Sequence, residues 1–174
     1  ENDKPSLIDF LLKLDAHVAG VDPSILKLNA KGHQELTARL DDLMSNRFSK
    51  LLVADSGPGT KLLAMGDIAL WHVDDMWKNP ERKGISYAVI DDLWVEPEAR
   101  QFGISKAIVR DLVTFASENG IDDLILEYAT TNIEAEATWS RLGFKTTGVR
   151  AAAPVADVLN RLATSEQIPE HEDD

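Results

Sequence analysis

The residues best suited to chemistry are Arg100-Gln101-Phe102-Gly103-Ile104-Ser105-Lys106, which follow an apolar run from Ile85 to Val95. After them apolar side chains recur at Ile104, Ala107, Ile108, Leu112, Phe115 and Ala116, the spacing of one helix face. A strand, a turn and a helix in that order aim several unpaired backbone N–H groups, and the positive end of the helix dipole, at one spot before the first helical turn. That spot suits an anion. Gly103 lets the backbone approach a ligand with no Cβ in the way, and Arg100 and Lys106 supply the local positive charge. A diphosphate is the natural guest.

The elements that must hold this turn can be read on both sides of it. Asp3 is placed to cap a helix that has Pro5 in its first turn and Leu7, Ile8, Leu11, Leu12 and Leu14 on its apolar face. Gly20-Val21-Asp22-Pro23 breaks it, and a second helix shows its face at Leu36, Leu40, Leu43 and Met44. Two apolar runs, Lys50 to Ala54 and Lys61 to Val73, flank Ser56-Gly57-Pro58-Gly59 as a hairpin and would pair with Ile85 to Val95 as an antiparallel meander. The polar and aromatic stretch from His72 to Gly84 reads either as the lining of a substrate entrance or as a solvated hairpin tip.

Downstream, Asn119-Gly120 ends the helix that Gly103 starts, and Asp123 to Tyr128 reads as a strand. A helical crossover makes that strand parallel to Ile85–Val95. Asn132 opens another helix that stops at Gly143; Phe144 to Ala151 could then form a strand, whereas Pro154 to Ala163 has helical spacing at Val155, Val158, Leu159 and Leu162. Residues 165–174 are acidic and read as a disordered tail. The fold class expected is α/β, layered, with a mixed and mostly antiparallel central sheet flanked by helices, in a single domain over residues 1–164.

Composition narrows the function. The chain has 174 residues, 44% of them hydrophobic, enough for one sizeable core. No apolar run approaches membrane-spanning length and the first residues are not a basic leader, so the expectation is a soluble, cytoplasmic protein with no membrane partner. Cysteine is absent, which removes disulfides, thiolate metal sites and a cysteine nucleophile. His17, His33, His72 and His171 show no ligand spacing, so no metal is expected. A net charge of −12 argues against nucleic acid and would favour a cationic small molecule.

The turn resembles the phosphate-binding motif of the GNAT N-acetyltransferase superfamily, whose pattern is Gln or Arg, two residues, Gly, one residue, then Gly or Ala; here it is Arg100 to Ser105. The likeness continues at Asn132-Ile133-Glu134-Ala135 and at Trp139-Ser140-Arg141-Leu142-Gly143-Phe144, similar to the superfamily's Asn-x-x-Ala and Tyr-x-x-x-Gly-Phe segments. Specific likeness runs from Gly84 to Phe144. The resemblance implies acetyl-CoA as cosubstrate, with its pantetheine arm in a gap between two splayed parallel strands, here Leu93–Val95 and Leu126–Tyr128. It further implies that a backbone N–H at Trp94 or Val95 faces the thioester oxygen, and that Arg100, Gln101, Phe102, Gly103, Ile104, Ser105, Lys106, Asn132 and Trp139 contact the cofactor. The superfamily's first strand would precede the first helix, so either the amino terminus has been cut from this sequence or the sheet begins one strand late.

The same resemblance implies a carboxylate that deprotonates an amine acceptor, directly or through water. Strand alternation puts Asp91 on one face with Leu93 and Val95, and Asp92 on the other with Ile90 and Trp94. Asp91 looks like the aspartate that some aminoglycoside N-acetyltransferases carry on this strand, and is the first candidate base; Glu127, across the gap, is the second. Two residues depart from the pattern. Gln101 and Ser105 stand where glycines are frequent, and Trp139 stands where a tyrosine usually protonates the leaving thiolate, which an indole N–H cannot do near neutral pH. Trp139 then either leaves that proton to solvent or closes the apolar floor under the pantetheine arm. The implied activity is acetyl transfer to a primary amine of a small molecule. The alternatives are a catalytically weak acyl-CoA-binding or sensing module and a protein N-terminal or lysine acetyltransferase, with a homodimer left open as an assembly.

Overall fold

Two amphipathic helices lead into a four-stranded sheet in the computed structural model, which describes residues 3–20, 28–57, 60–73, 85–148 and 153–165. These belong to two units, Glu1–Asn132 and Ile133–Asp174. In the first unit, α1 (Lys4–Ala19) carries Pro5 in its first turn, where no N–H partner is needed, and stops at Gly20, whose φ of 67° is left-handed. Asp3 does not cap it through its side chain. Its backbone already lies in the helical region (φ −91°, ψ −11°), whereas a side-chain cap needs an extended residue; only its carbonyl serves, accepting from Leu7 N at 3.0 Å. Asn29, at φ −77° and ψ 173°, meets that requirement for α2 (Ala30–Ser45), accepting from Gly32 N at 2.8 Å.

Strands β1 (Ser49–Asp55), β2 (Leu62–Val73) and β3 (Ile85–Val95) form the expected antiparallel meander, and β4 (Asp123–Ile125) joins β3 in parallel. Leu7, Phe10 and Leu11 of α1 and Leu40 of α2 pack with Leu62, Met65 and Trp94 into the main buried cluster, so α1 and α2 cover one face of the sheet. Met44, expected on that apolar face, is instead 47% exposed near the end of α2. The other face belongs to α3 (Ile104–Glu118). Gly66, next to Met65, turns toward it, and a Cβ there would lie 2.7 Å from Ile108 Cγ2.

Two irregularities shape β3. Its register with β2 runs from Gly66↔Leu93 to Ile68↔Ile90, so Asp91 and Asp92 together oppose Asp67: a β-bulge. On its other edge, pairing with β4 stops at Val89↔Ile125. The strand expected to reach Tyr128 therefore ends three residues earlier. Leu126–Tyr128 make no ladder among the described residues, and the bulge in β3 follows just past the last paired residue.

In the second unit, α4 (Ile133–Arg141) closes with Gly143 at φ 95° and a bond from Phe144 N to Trp139 O of 3.1 Å. Residues 144–148 carry no strand, having no ladder partner, and 149–151 lie outside the described residues. The helical spacing further on is realised as α5 (Val155–Ser165), with Val155, Val158, Leu159 and Leu162 exposed. Ser165 is the last residue of that helix. Residues 166–174 and the stretch 74–84, read as a substrate entrance or a hairpin tip, lie outside the described residues. No helix among the described residues is long and apolar enough to cross a membrane.

Close seating of α3 on the sheet depends on Gly66. Because a Cβ there meets Ile108 Cγ2 at 2.7 Å and Leu93 Cδ1 at 3.1 Å, Gly66→Ala is expected to cost about 1–3 kcal/mol, the usual range for overpacking. Urea unfolding measures it, and an unchanged midpoint would contradict this seating of α3.

Candidate functional site

The start of the site is fixed by the end of β3. Glu96 is only 2% exposed, and its N–H donates to Leu63 O of β2 at 2.8 Å. Its carboxylate accepts from Lys13 Nζ at 2.6 Å and Trp94 Nε1 at 3.3 Å, and pairs with Lys61 Nζ at 3.2 Å. Burial pushes this carboxyl up, but Lys13, Lys61 and Trp94 together outweigh it and hold Glu96 below the usual carboxylate range. The Trp94 ring meets His17 edge-on at 6.1 Å, and the Arg100 guanidinium lies 5.3 Å from its centroid. Strand end and turn are thereby anchored to α1.

A single 3-10 turn, Pro97–Ala99, then leads into the phosphate-like stretch. Gln101 (φ 70°) and Gly103 (φ 78°) are both left-handed. Gln101 adopts what a glycine would adopt freely, at a cost of about 1–2 kcal/mol. No side chain caps α3, and Ala107 N donates to Gly103 O at 3.0 Å to close its first turn. The N–H groups of Ile104, Ser105 and Lys106 consequently have no partner inside the helix. A Cβ on Gly103 would meet nothing within 4 Å among the described residues. Phe102, 80% exposed, and the exposed Lys106 rim the turn. Arg100 is partly drawn away from it, its Nε donating to Val95 O at 3.2 Å.

Alternation settles which backbone groups face outward from β3. Since Glu96 N–H points to β2, Trp94 N–H does too, and Val95 N–H points to the opposite edge, where β4 no longer pairs. Of the two residues expected to present an N–H there, Val95 has the right orientation and Trp94 does not.

The bulge overturns the expected alternation of the aspartates. Ile90 and Leu93 both lie on the α3 face, opposite Ile68 and Gly66, so the phase of the strand inverts between them. Asp91 and Asp92 consequently share the α1–α2 side, where Arg39 of α2 donates through Nη2 to Asp91 Oδ2 at 2.8 Å and to Asp92 Oδ2 at 2.6 Å. Asp67 completes the group. It is 1% exposed, accepts from Asp92 N at 3.1 Å, and has a carboxylate oxygen within 4.8 Å of one on each of the other two aspartates. Burial, then the charges of Asp92 and Asp91, push the Asp67 carboxyl up to about 7 against the pull of Arg39. Burial likewise raises Asp92, while the side chain of Asp91 remains 62% exposed.

The remaining expected residues lie elsewhere. Glu127 is exposed and sits two positions beyond the end of β4, so it is not on a strand. Asn132 donates its N–H to Ala129 O at 2.8 Å, at the end of the first unit. Trp139 belongs to the second unit, buried, with its ring edge-on to Phe144 at 5.5 Å. Sequence reasoning missed Arg39, Asp67 and Glu96. Asp67 had a signal, a lone charge after glycine within the apolar run Leu62 to Leu70; Arg39 had none, because arginine on a helix is ordinary.

The raised Asp67 fixes a pH dependence. Its folded value, about 7, lies above the unfolded 3.8, so folding takes up a proton and stability falls as pH rises between those values. Relative to Asp67→Asn, the native protein is expected to lose up to about 4 kcal/mol across that window. Denaturant unfolding at several pH values checks this, and parallel curves for the two proteins would contradict it.

Comparison with known proteins agrees with this architecture. A description of the acetyltransferase (GNAT) family matches residues 29–144. The human protein N-acetyltransferase 8 is 41% identical over 51 residues, which are 29% of this chain and 22% of that relative's length. Among solved structures, a Bacillus halodurans protein superposes with a TM-score of 0.69 at 20% identity, over 88% of this chain and 94% of the other. A predicted acetyltransferase from Clostridium acetobutylicum, solved with acetyl-CoA, gives 0.66 at 20% identity, covering 90% and 92%. An aminoglycoside acetyltransferase from an uncultured soil sample, in complex with trehalose, gives 0.60 at 15% identity, covering 88% and 91%. With two-thirds of its length matched by the family description and a four-stranded sheet of the corresponding form, the chain belongs to the acetyltransferase (GNAT) family.

Proposed function

We propose that this chain transfers the acetyl group of acetyl-CoA to the primary amine of a small molecule by direct attack. The observation that carries the reading is a helix start with no side-chain cap, preceded by left-handed Gln101 and Gly103, at the end of a strand whose outer edge has no ladder partner beyond Val89 among the described residues. The N–H groups of residues 104–106 suit a diphosphate. The edge beyond Val89 suits an extended arm that bonds to backbone as a further strand would. Acetyl-CoA supplies the activated thioester. The outward N–H of Val95 is the group that would donate to the thioester oxygen as negative charge builds there.

Asp91 is the proposed base, because it is the exposed carboxylate beside this edge; an amine must lose a proton before it can attack. A cationic acceptor suits both this exposed carboxylate and the net charge of −12. The aminoglycoside acetyltransferase among the similar folds supports a polyamine-like acceptor by analogy only. One observation favours a catalytically weak acyl-CoA-binding module instead: Asp91 Oδ2 already accepts from Arg39 Nη2 at 2.8 Å, which engages the carboxylate that would have to meet the amine.

Calorimetric titration with coenzyme A tests the turn. The native protein is expected to bind, and Gly103→Val to bind at least about tenfold more weakly, since its side chain would project into the space before α3. Equal binding by both, or none by either, would overturn this reading of the turn. With acetyl-CoA and a panel of primary amines, Asp91→Asn is expected to lower kcat/KM by about 10²–10⁴-fold with coenzyme A binding kept. Native protein that binds coenzyme A but turns over no amine would favour the binding module.

A further inference from the structure

Asp67 stands apart from the roles so far assigned. A carboxylate in the middle of a buried strand face is costly, and two further carboxylates, Asp91 and Asp92, lie beside it at the bulge. Its Oδ1 accepts from Asp92 N at 3.1 Å, in the one place where the β2–β3 register slips. In a regular antiparallel ladder that N–H would either meet a carbonyl of β2 or point away; the inserted residue removes the carbonyl, and the Asp67 side chain supplies an acceptor in its stead. The bulge, in turn, is what brings Asp91 onto the α1–α2 side beside Asp92 and within reach of Arg39.

We propose that Asp67 is a positioning residue for acetyl transfer: its buried carboxyl group pins the β3 bulge through Asp92 N–H and so sets the place of Asp91. This rests on Asp91 being the base. The charged groups that face Asp67 are Arg39 from α2 and Asp91 and Asp92 from β3, while Asp15 of α1 acts on Asp92. Asparagine at this position keeps an acceptor oxygen and removes the charge; alanine removes both.

Three measurements on native protein, Asp67→Asn and Asp67→Ala separate these effects. Amide hydrogen exchange at Asp92, which needs no turnover, should be slow in the native protein and in Asp67→Asn and at least about tenfold faster in Asp67→Ala. Asp67→Asn, which keeps an acceptor oxygen for Asp92 N, should retain at least about tenfold more kcat/KM for an amine than Asp67→Ala. In Asp67→Ala kcat/KM should fall at least about 30-fold, with the coenzyme A dissociation constant within about threefold because the turn lies beyond Val95. Protection of Asp92 that survives in Asp67→Ala, or equal kcat/KM in Asp67→Asn and Asp67→Ala, would overturn the proposal. If Asp67→Ala does not fold, Asp67→Val, which fills similar space on the strand without an acceptor, takes its place in both comparisons. Absence of turnover in the native protein would count against Asp91 as base, whereas the exchange result alone would still test the pin.

Discussion

The extra residue that β3 carries opposite Asp67 is the constraint on which the arrangement of the site depends. Without it the strand would keep one phase from Ile85 to Val95, and Asp91 would stay on the face opposite Asp92. With it, the phase inverts, and three carboxylates gather about one guanidinium on the α1–α2 side. Pairing with β4 gives out at Val89 just before the bulge, which leaves the outward backbone of the strand's second half to another partner. Burying Asp67 opposes folding, and the hydrogen bond from Asp92 N and the field of Arg39 offset part of that cost.

The carboxyl end of the same strand is held by a different device. Glu96 is almost as buried as Asp67, yet its surroundings act in the opposite direction: Lys13, Lys61 and the Trp94 indole all favour its charged form. Two carboxylates on neighbouring strands thus differ in what balances their burial. Around Asp67 the added charges are mostly of like sign, and around Glu96 they are opposite. The first arrangement leaves a proton-holding group near the exposed Asp91. The second makes a rigid anchor from which the turn at Gln101 and Gly103 is launched.

Much of the fold was legible because it obeys period. The apolar runs of β1, β2 and β3, the Asn119-Gly120 stop of α3 and the helical spacing of Val155, Val158, Leu159 and Leu162 all correspond to what the structure contains. The turn was legible because Gly103 and its neighbours combine a backbone requirement with charge. The bulge was not, since alternation assumes a regular strand and nothing in Ile90-Asp91-Asp92-Leu93 announces an insertion. The same assumption placed Asp92 with Ile90 and carried β4 on to Tyr128. Asp3 misled for a local reason: residue type suits a cap, but its helical backbone denies the side chain that geometry. Arg39 and Glu96 become meaningful only through contacts 52 and 83 residues away in sequence.

Everything proposed for this chain requires coenzyme A to bind at the turn before α3 and along the β3 edge beyond Val89. An amide-resolved NMR titration of the native protein with coenzyme A tests it most directly, because both features consist of backbone N–H groups. The account predicts the largest shifts at Gly103, Ile104, Ser105 and Lys106 and at Val95, with β1 left unchanged. Saturable shifts confined to other surfaces, with these five amides unmoved, would contradict it.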